Sequence, residues 1–418
     1  MRIAVIGSGI SGLICSRLLS RDHEVTVFEA DSRVGGHTNT VTAHVDGHAV
    51  DVDTGFIVYN ERNYPVFTKI LANLGVETDP TAMSFAVRCD RTGIEYNGSS
   101  LNSVFAQRRN LVRPSFLRLL KDIVRFNREG TADRERIPGD QTVGDYLRAG
   151  GYSRQFADQY LLPMGAAIWS CPVGEFTEFP MRFILEFYHN HGLMQLRDRP
   201  VWRVIRGGSK HYVERLIAPF RDQIRLNCGV AAVTRCADSI RISHSGTVEF
   251  FDEVVLACHA DQAQRLLTDC DELESSILDQ FPYSRSTAVL HTDETVLPRR
   301  RRAWACWNYH VSESSDERPT VTYHMNLLQH LRTQSSLLVT LNEQHAIDPA
   351  RVLATFEYEH PVFSVSRAAT QARHGEVIRR RRTSFCGAYW RNGFHEDGVV
   401  SALAVCREFG ISDWSVSQ

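Results

Sequence analysis

The sequence predicts an α/β fold in which a parallel sheet is interleaved with an α+β domain carrying a helical subdomain. Three observations predict it. A β-branched run, Arg2–Ile6, leads into the turn Gly7-Ser-Gly-Ile-Ser-Gly12 and a helical segment reaching Leu19. A second apolar run, Glu24–Phe28, ends on an acidic residue. Residues 100–200 show helical periodicity and many aromatic side chains instead. The first unit has the strand–turn–helix–strand pattern of a Rossmann-type domain.

The glycine turn predicts a dinucleotide site. Gly7 permits the tight turn, Gly9 lets the backbone approach a pyrophosphate, and Gly12 allows close packing of helix on strand. Ile10 and Ser11 open the helix, where free N–H groups and the positive end of the helix dipole attract phosphate. A glycine motif alone would indicate only a turn, but the flanking strands and helix agree with nucleotide binding.

The segment after the second strand decides which dinucleotide is expected. Glu29 lies at the spacing of the acid that accepts hydrogen bonds from the adenosine ribose. It is followed by the run Arg33, Val34, Gly35, Gly36, His37 and Thr38. A nicotinamide-binding site does not need this run. In an FAD site, the two glycines would let the backbone approach the long diphosphate at a second place. The alternative is an arginine–glycine surface turn. We predict FAD, held by these residues and by the fingerprint.

This arrangement resembles the FAD-dependent amine oxidase superfamily, which includes phytoene desaturases and protoporphyrinogen oxidases. Strand-like runs at 40–45 and 48–52, joined by Asp46-Gly47, predict a hairpin. The resemblance implies that Asp53, Gly55 and Phe56, which follow the hairpin, lie beside the flavin. A helix is predicted over 64–74, closed by Gly75.

The helical block predicts a basic amphipathic helix from Pro114 to Gly130. One face is apolar, and the other carries Arg118, Lys121, Arg125 and Arg128. Such a helix suits an anionic membrane surface, although a solvated face is the simpler interpretation. Further helices are predicted at 142–150, 153–162 and 181–190, the last two stopped by Pro163 and Gly192. Their aromatic residues suit either an apolar cavity or an ordinary core.

Strands return after residue 200. A run at 202–205, the pair Gly207-Gly208 and a helix over 210–217 match the place where the family's chain re-enters the FAD domain. The resemblance places Val230, in the run 229–233, beside the adenine. A run at 251–257 is similar to the strand that closes the nucleotide sheet. Two arginine clusters, at 299–302 and 379–382, indicate solvated surface or contact with phosphate.

The C-terminal motif is the second strong signal. The run 384–390 and the segment 393–402 resemble the family's closing strand, glycine turn and final helix. The resemblance implies that the helix N-terminus faces the flavin edge that gains negative charge on reduction. It assigns cofactor contacts to Gly387, Phe394, His395 and Glu396. The chain departs from the family pattern at Ala388 and Ala402, which weakens the pyrophosphate-side contacts.

The resemblance covers nearly the whole chain. It implies an FAD-binding domain formed by 1–75, 200–260 and 375–418. A substrate domain would take 76–199 and 261–374. We expect the substrate pocket and the flavin face to be lined by a set of aromatic residues: Trp307, Tyr309, Tyr389, Trp390 and Phe394. His395, Tyr389 and Tyr309 are candidate catalytic groups.

The details of the motifs are most similar to a bacterial branch associated with cyclopropane-fatty-acid-synthase-like methyltransferases. That branch includes desaturases of methyl-branched fatty acyl chains, which implies a lipid substrate. The family's amine oxidases carry a lysine late in the substrate domain, whereas this chain has none between 261 and 374. A desaturase is therefore predicted. Alternatives are a flavin amine oxidase acting on a small amine or polyamine, and a non-catalytic flavin-binding protein.

Composition limits the remaining possibilities. A formal net charge of −2 gives no global indication of nucleic-acid binding. Ten scattered cysteines without a CxxC pair predict reduced thiols and no metal site. The apolar N-terminus matches the fingerprint better than a signal peptide, and no run of 18 apolar residues predicts a membrane span. We expect a cytoplasmic protein, with peripheral contact at the inner membrane face as the sharper alternative. Its oligomeric state is not predicted.

Overall fold

Two large β-sheets and the helices packed on them organise the chain. The structure is a computed structural model, and it describes residues 1–169, 171–195, 199–313, 320–364, 366–411 and 414. Its strands are β1 (Arg2–Ile6), β2 (Glu24–Phe28), β3 (Thr40–Val45), β4 (His48–Asp53), β5 (Tyr59–Asn60), β6 (Thr78–Thr81), β7 (Phe85–Cys89), β8 (Ile94–Asn97), β9 (Trp202–Ile205), β10 (Ile224–Arg225), β11 (Val230–Arg235), β12 (Ile240–His244), β13 (Thr247–Phe251), β14 (Glu253–Leu256), β15 (Tyr283–His291), β16 (Trp307–Val311), β17 (Thr320–His324), β18 (Leu338–Leu341), β19 (Val352–Pro361) and β20 (Thr383–Phe385). Its helices are α1 (Ile10–Leu19), α2 (Pro65–Asn73), α3 (Leu101–Val104), α4 (Pro114–Arg136), α5 (Val143–Ala149), α6 (Arg154–Phe156), α7 (Leu162–Trp169), α8 (Val173–Thr177), α9 (Met181–Asn190), α10 (Lys210–Ile217), α11 (Ala260–Leu266), α12 (Glu272–Leu278), α13 (Met325–Leu328), α14 (Arg367–Ala372) and α15 (His395–Glu408).

The first sheet is parallel and has the strand order β10-β2-β1-β14-β20. Both of its faces are covered, as expected for a parallel sheet. Ile3 and Val5 of β1 join one buried apolar cluster, while Ala4 and Ile6 join another on the opposite face. This alternation explains why β1 reads as an unbroken apolar run. The predicted Rossmann-type unit is confirmed.

Helices α1 and α15 pack together on one face of this sheet. Gly398 lies at their closest approach, where an added Cβ would stand 2.8 Å from Ile10 Cγ2 and 2.9 Å from Ser11 Oγ. The Ser11 hydroxyl donates to the Gly398 carbonyl at 3.0 Å. The first and last helices are therefore locked to each other, although they lie almost 400 residues apart.

The second large sheet has seven strands in the order β19-β15-β18-β17-β16-β7-β8. Its pairs are antiparallel except for β16 with β7. Its strands come from the two segments predicted for the substrate domain. Helix α12 and all of α11 after Ala260 come from the same segments, but Ala263 and Ile277 belong to the buried cluster on the first sheet. The division into two domains stays a prediction, and its boundary near 260 does not match this packing.

The predicted end of α4 at Gly130 is wrong, because the helix continues to Arg136. Gly130 is buried, and a Cβ there would stand 2.9 Å from Leu185 Cδ2 and 3.1 Å from Met194 Sδ. The glycine thus lets α9 pack closely on α4 and does not terminate the helix. Within the described residues, no helix is both long and apolar enough to cross a membrane.

The predicted stop at Pro163 is also wrong. Helix α6 continues through a π-helical turn, Ala157–Leu161, directly into α7. A π turn shifts the hydrogen-bond register by one residue, which accommodates a proline that has no N–H to donate. Helices α2, α5, α9 and α10, in contrast, lie where the sequence predicted them.

The basic face predicted for α4 is smaller than expected. The guanidinium of Arg125 lies 3.9 Å from the centre of the Tyr152 ring and 3.6 Å from Asp122. Arg118, Lys121 and Arg128 remain exposed, but Val124 of the predicted apolar face is exposed as well. The helix therefore buries its phenylalanines and presents a mixed basic and apolar surface.

Candidate flavin site

A cavity of about 1010 Å³ extends from the β1–α1 turn to the helical block. Its wall contains most of the predicted site residues: Gly7, Gly9, Ile10, Ser11, Glu29, Arg33, Gly35, Gly36, His37, Gly55, Phe56, Val230, Trp307, Gly387, Tyr389, Phe394 and His395. The volume lies at the upper end of the range typical of ligand sites. Segments from both ends and the middle of the chain are thus brought to one cavity.

Two glycines of the fingerprint are required by protein packing. Gly7 has φ +105°, and a Cβ there would stand 2.7 Å from the Ala257 carbonyl oxygen. A Cβ on Gly12 would stand 2.0 Å from the Gly7 carbonyl oxygen. Gly12 does not line the cavity, so its role is the predicted close packing of α1 and not contact with a ligand.

Gly9 differs from these two glycines. Its φ of −68° and ψ of 176° are open to any residue, and an added Cβ would meet no atom within 4 Å. Neither backbone conformation nor protein packing therefore requires glycine here. Since Gly9 lines the cavity at the uncapped N-terminus of α1, the free space fits a phosphate that approaches the backbone.

The second glycine pair packs against the first. The Gly35 amide donates to the Ser8 carbonyl at 2.9 Å, and a Cβ on Gly36 would stand 3.1 Å from Gly9 Cα. Arg33 lines the cavity and donates to the Thr38 carbonyl at 3.2 Å. Thr38 itself lies outside the cavity wall and supports Arg33 through its carbonyl, and its cofactor contact stays a prediction.

Glu29 occupies the position expected for the ribose acid. One carboxylate oxygen accepts the Ser8 amide at 2.9 Å and the Ser8 hydroxyl at 2.5 Å, and the other accepts the Asp31 amide at 2.9 Å. The carboxylate is thereby fixed at the cavity wall, next to Val230. A carboxylate has about four acceptor positions, so capacity remains for hydroxyl groups of a ligand.

Several buried polar atoms of the cavity-lining residues have no partner in the described part of the chain. They include His37 Nε2 and the Tyr389 hydroxyl. Burial holds the pKa of the Tyr389 phenol well above its usual range, so it stays protonated. Buried polar atoms without partners are costly in a folded protein. A polar ligand such as FAD fits this wall, because it supplies donors and acceptors to such atoms.

His395 opens α15 and faces the same cavity. Its ring stacks on Phe56 with 3.8 Å between centroids and an interplanar angle of 10°. Nε2 lies 2.7 Å from the Tyr212 hydroxyl, which lies 2.5 Å from Thr38 Oγ1. Burial lowers the pKa of His395 to about 3. The imidazole is thus neutral near pH 7, and its engaged Nε2 makes it a poor general base.

Two predicted acidic contacts act elsewhere. Glu396 lies outside the cavity wall and accepts the amides of Val66 and Phe67 at 3.0 and 2.9 Å, which caps α2. Asp53 is fully buried outside the wall, where it accepts Thr40 Oγ1, the Ser209 amide and Gln329 Nε2. Both carboxylates tie distant segments together, and their contact with the cofactor stays a prediction.

Two predicted aromatic residues also lie outside the cavity wall. Trp390 packs in the core against Phe281 and stacks on His374. Tyr309 lies in the buried apolar cluster of the seven-stranded sheet, against which Trp307 also packs. Trp307, two residues earlier, lines the cavity, and its indole N–H has no partner in the described chain.

The end of the cavity opposite the fingerprint is apolar. Phe394 marks the transition, since its ring stacks on Phe187 at 5.0 Å while its neighbour His395 stacks on Phe56. The lining residues between 55 and 202, with Trp307 and Tyr323, include no lysine, arginine, aspartate or glutamate. Those that the site prediction missed include Met83, Phe85, Met164, Ile168, Trp169, Phe187 and Trp202.

His191 is a further residue missed from the sequence, where it reads only as a helix end. It lines the apolar end, and its ring stacks on Phe187 at 3.7 Å. Nδ1 lies 2.9 Å from the Phe187 carbonyl oxygen, so Nδ1 carries the proton and Nε2 is left as an acceptor. Burial, opposed by this hydrogen bond, lowers the pKa of His191 to about 4.

Comparison with known proteins agrees with this geometry. The family model described as flavin containing amine oxidoreductase matches residues 10–408, which is nearly the whole chain. The chain belongs to this family. Its cofactor is FAD, and it is an FAD-dependent oxidoreductase with the predicted fold.

Individual relatives are distant. A 4,4'-diapophytoene desaturase from Staphylococcus aureus is 39% identical over 69 residues, which cover 16% of this chain and 13% of that protein. The chain thus matches only about an eighth of the length of these curated relatives.

Solved structures match over nearly their whole length. A putative protoporphyrinogen oxidase from Exiguobacterium sp. 255-15 aligns with a TM-score of 0.70, 16% identity and 99% coverage of both chains. A fatty acid isomerase from P. acnes that produces CLA gives 0.68, 14% and 98% of each chain. Cyclohexylamine oxidase from Brevibacterium oxydans IH-35A gives 0.67, 15%, and 98% and 99%. At these identities the likeness shows the fold alone.

Proposed function

We propose that the protein dehydrogenates a fatty acyl chain of a lipid, including methyl-branched chains, and forms a carbon–carbon double bond. The observation that supports this best is the uncharged, aromatic and aliphatic end of the cavity beside Phe394. An acyl chain is recognised by apolar contact alone, which this wall offers. The family branch that the motifs resemble includes acyl desaturases, which favours the same substrate class.

The reaction removes a hydride and a proton from neighbouring carbons. Bound FAD supplies the hydride acceptor. Phe187, Trp169 and Phe394 exclude water from the substrate and orient the chain. His191 Nε2 takes the proton. Nδ1 of the ring already donates its proton to the Phe187 carbonyl, so the lone pair on Nε2 is available.

Oxidation of an amine is the second candidate. The family name and the fold shared with cyclohexylamine oxidase favour it. An amine site needs an acceptor or a carboxylate for the ammonium group, whereas the apolar end has no acidic residue in its described wall. The chain's lysines, Lys69, Lys121 and Lys210, also lie outside that wall. A non-catalytic flavin protein is the third possibility.

Lipid profiling tests the proposal. The gene is expressed in a bacterial host that makes methyl-branched acyl chains, and total lipids are analysed by mass spectrometry. We expect one acyl species to lose two hydrogens relative to a host that carries the catalytically impaired variant His191→Phe. Unchanged lipids, together with rapid anaerobic flavin reduction by cyclohexylamine, would replace the desaturase with the amine oxidase. Unchanged lipids and an unreduced flavin would support the non-catalytic role.

A further inference from the structure

A second cleft, apart from the flavin cavity, gathers arginines from two distant segments. It has a volume of about 700 Å³ and lies between the β7–β8 hairpin, the turn Arg108–Val112 and the loop before β16. Its lining includes five arginines: Arg108, Arg109, Arg299, Arg300 and Arg302. The sequence predicted solvated surface or phosphate contact for the cluster at 299–302. Arg108 and Arg109, almost 200 residues earlier in the chain, lie at the same cleft.

The acidic groups of this cleft do not neutralise its arginine side chains. Glu95 is buried and accepts the backbone amides of Arg299 and Arg300 at 3.1 and 3.0 Å. Asp90 binds Arg88 at 3.0 Å and His310 at 2.9 Å, both outside the lining of the cleft. The five arginines that line the cleft therefore share it with two carboxylates, and neither carboxylate binds one of their guanidinium groups.

Three of the arginine side chains have no protein partner. Arg299, Arg300 and Arg302 are exposed, and within the described residues their guanidinium groups make no hydrogen bond or ion pair. Glu95 nevertheless fixes the backbone from which they project. The other arginine cluster behaves differently, since Arg379 binds Glu253 and Arg381 binds Asp269. Arg299, Arg300 and Arg302 thus lie at the cleft without a carboxylate partner, whereas Arg379 and Arg381 of the other cluster are paired.

Large apolar side chains on two segments next to the cleft are exposed to solvent. Leu111 and Val112, which follow Arg108 and Arg109 in the same turn, are 52% and 81% exposed. Leu101 is 80% exposed and begins α3, which packs against the turn Arg301–Ala303. Exposed apolar side chains next to unpaired arginines match the interface of a bilayer, where head groups and acyl chains meet.

We propose that this cleft binds the phosphate groups of anionic phospholipids and holds the protein on an anionic bilayer. Arginine's planar fork suits bidentate contact with phosphate. Leu101, Leu111 and Val112 enter the acyl boundary beside the bound head groups. The site is separate from the flavin cavity, and the proposal does not depend on the reaction proposed above.

Vesicle sedimentation tests this site. FAD-loaded protein is sedimented with vesicles of phosphatidylcholine alone or mixed with phosphatidylglycerol. The variant Arg299→Gln/Arg300→Gln/Arg302→Gln removes charges that have no partner, so folding and flavin absorbance should not change. We expect its partitioning onto the mixed vesicles to fall by about tenfold or more. The variant Leu111→Ser/Val112→Ser should also weaken binding to the mixed vesicles.

The matched control is Arg62→Gln/Arg221→Gln/Arg407→Gln, which removes the same charge from exposed positions outside the cleft. It should retain binding within about twofold, because charges far from the bilayer are screened. An equal loss in both variants would overturn the proposal in favour of general charge attraction. The wild-type protein could instead fail to sediment with the vesicles but bind inorganic pyrophosphate through these arginines. The ligand would then be a free phosphate compound, and the lipid assignment would be wrong.

Discussion

At the scale of single residues, the glycines of the fingerprint are of two kinds. Some are required by packing within the protein, and one is explained by the space that a ligand needs. Gly7 and Gly12 are held by contacts within the protein, whereas the Cβ position of Gly9 is open. The fingerprint could be predicted from sequence because its spacing is local. The roles of Asp53 and Glu396 could not, because Ser209, which binds Asp53, and Val66, which binds Glu396, lie 156 and 330 residues away along the chain.

The variant Gly9→Val should not retain the cofactor. The branched side chain would occupy the space that the phosphate needs, and overpacking of this kind costs about 1–3 kcal/mol. FAD affinity should therefore fall by about tenfold or more, and the purified protein should be colourless. Gly98→Val is the control, since its Cβ also meets no atom but lies outside the cavity. Full flavin absorbance in Gly9→Val would contradict the assignment.

The variant His191→Phe should lose activity while keeping FAD. Phenylalanine preserves the stacking on Phe187 but removes the Nε2 acceptor, and a positioned base typically contributes about 10²–10⁴-fold to the rate. In the wild type, activity should decline as pH falls toward 4, where this imidazole becomes protonated. Single-turnover flavin reduction measures both effects, with the exposed His48→Phe as the control. An unchanged rate would remove His191 from the mechanism.

At the scale of secondary-structure elements, local signals predicted where elements begin better than where they end. Thr142 caps α5, and the glycine after α2 closes it, as expected. Gly130 and Pro163 misled the prediction because their roles depend on a neighbouring helix and on a π turn, neither of which a local pattern reveals. The aromatic residues of the helical block suggested an apolar cavity but did not predict which residues line it. The lining residues come from several elements, and a local pattern does not show which of them meet.

The variant Glu396→Ala should destabilise the protein without abolishing FAD binding. The substitution leaves the amides of Val66 and Phe67 without acceptors at the start of α2. We expect a loss of about 2–4 kcal/mol in the free energy of unfolding, and a smaller loss for Glu396→Gln, which keeps one acceptor. Urea denaturation followed by circular dichroism measures it. If folded Glu396→Ala protein lacked FAD, the carboxylate would act on the cofactor after all.

At the scale of the whole molecule, the buried imidazoles set the response to acid. Burial keeps a group of histidines neutral by lowering their pKa below the usual 6.5, to about 4 or less: His191, His291, His360, His374 and His395. The unfolded chain takes up these protons near pH 6.5, so stability is complete above that pH and decreases as pH falls. Burial raises the pKa of Asp53 and Asp397 to about 6, which opposes the loss only weakly.

Unfolding free energy should therefore be several kcal/mol lower at pH 5.5 than at pH 7.5, since each such histidine contributes about 1.4 kcal/mol per pH unit below 6.5. Urea denaturation of the FAD-loaded protein at the two pH values measures this. His374→Phe should reduce the difference by about 1 kcal/mol, because it removes one of the protons taken up on unfolding. A stability that rose on acidification would show that the carboxyl groups dominate instead.

The cavity is built in two different ways at its two ends, and this has a consequence for how such proteins diversify. Around Gly7 and Gly36 the wall consists of main chain, which few substitutions can change without breaking the turn. Around Phe187 and Trp307 it consists of side chains, each replaceable on an intact scaffold. Related proteins can thus change their substrate by substitutions at the side-chain end of the cavity. The main-chain end, which binds FAD, stays the same.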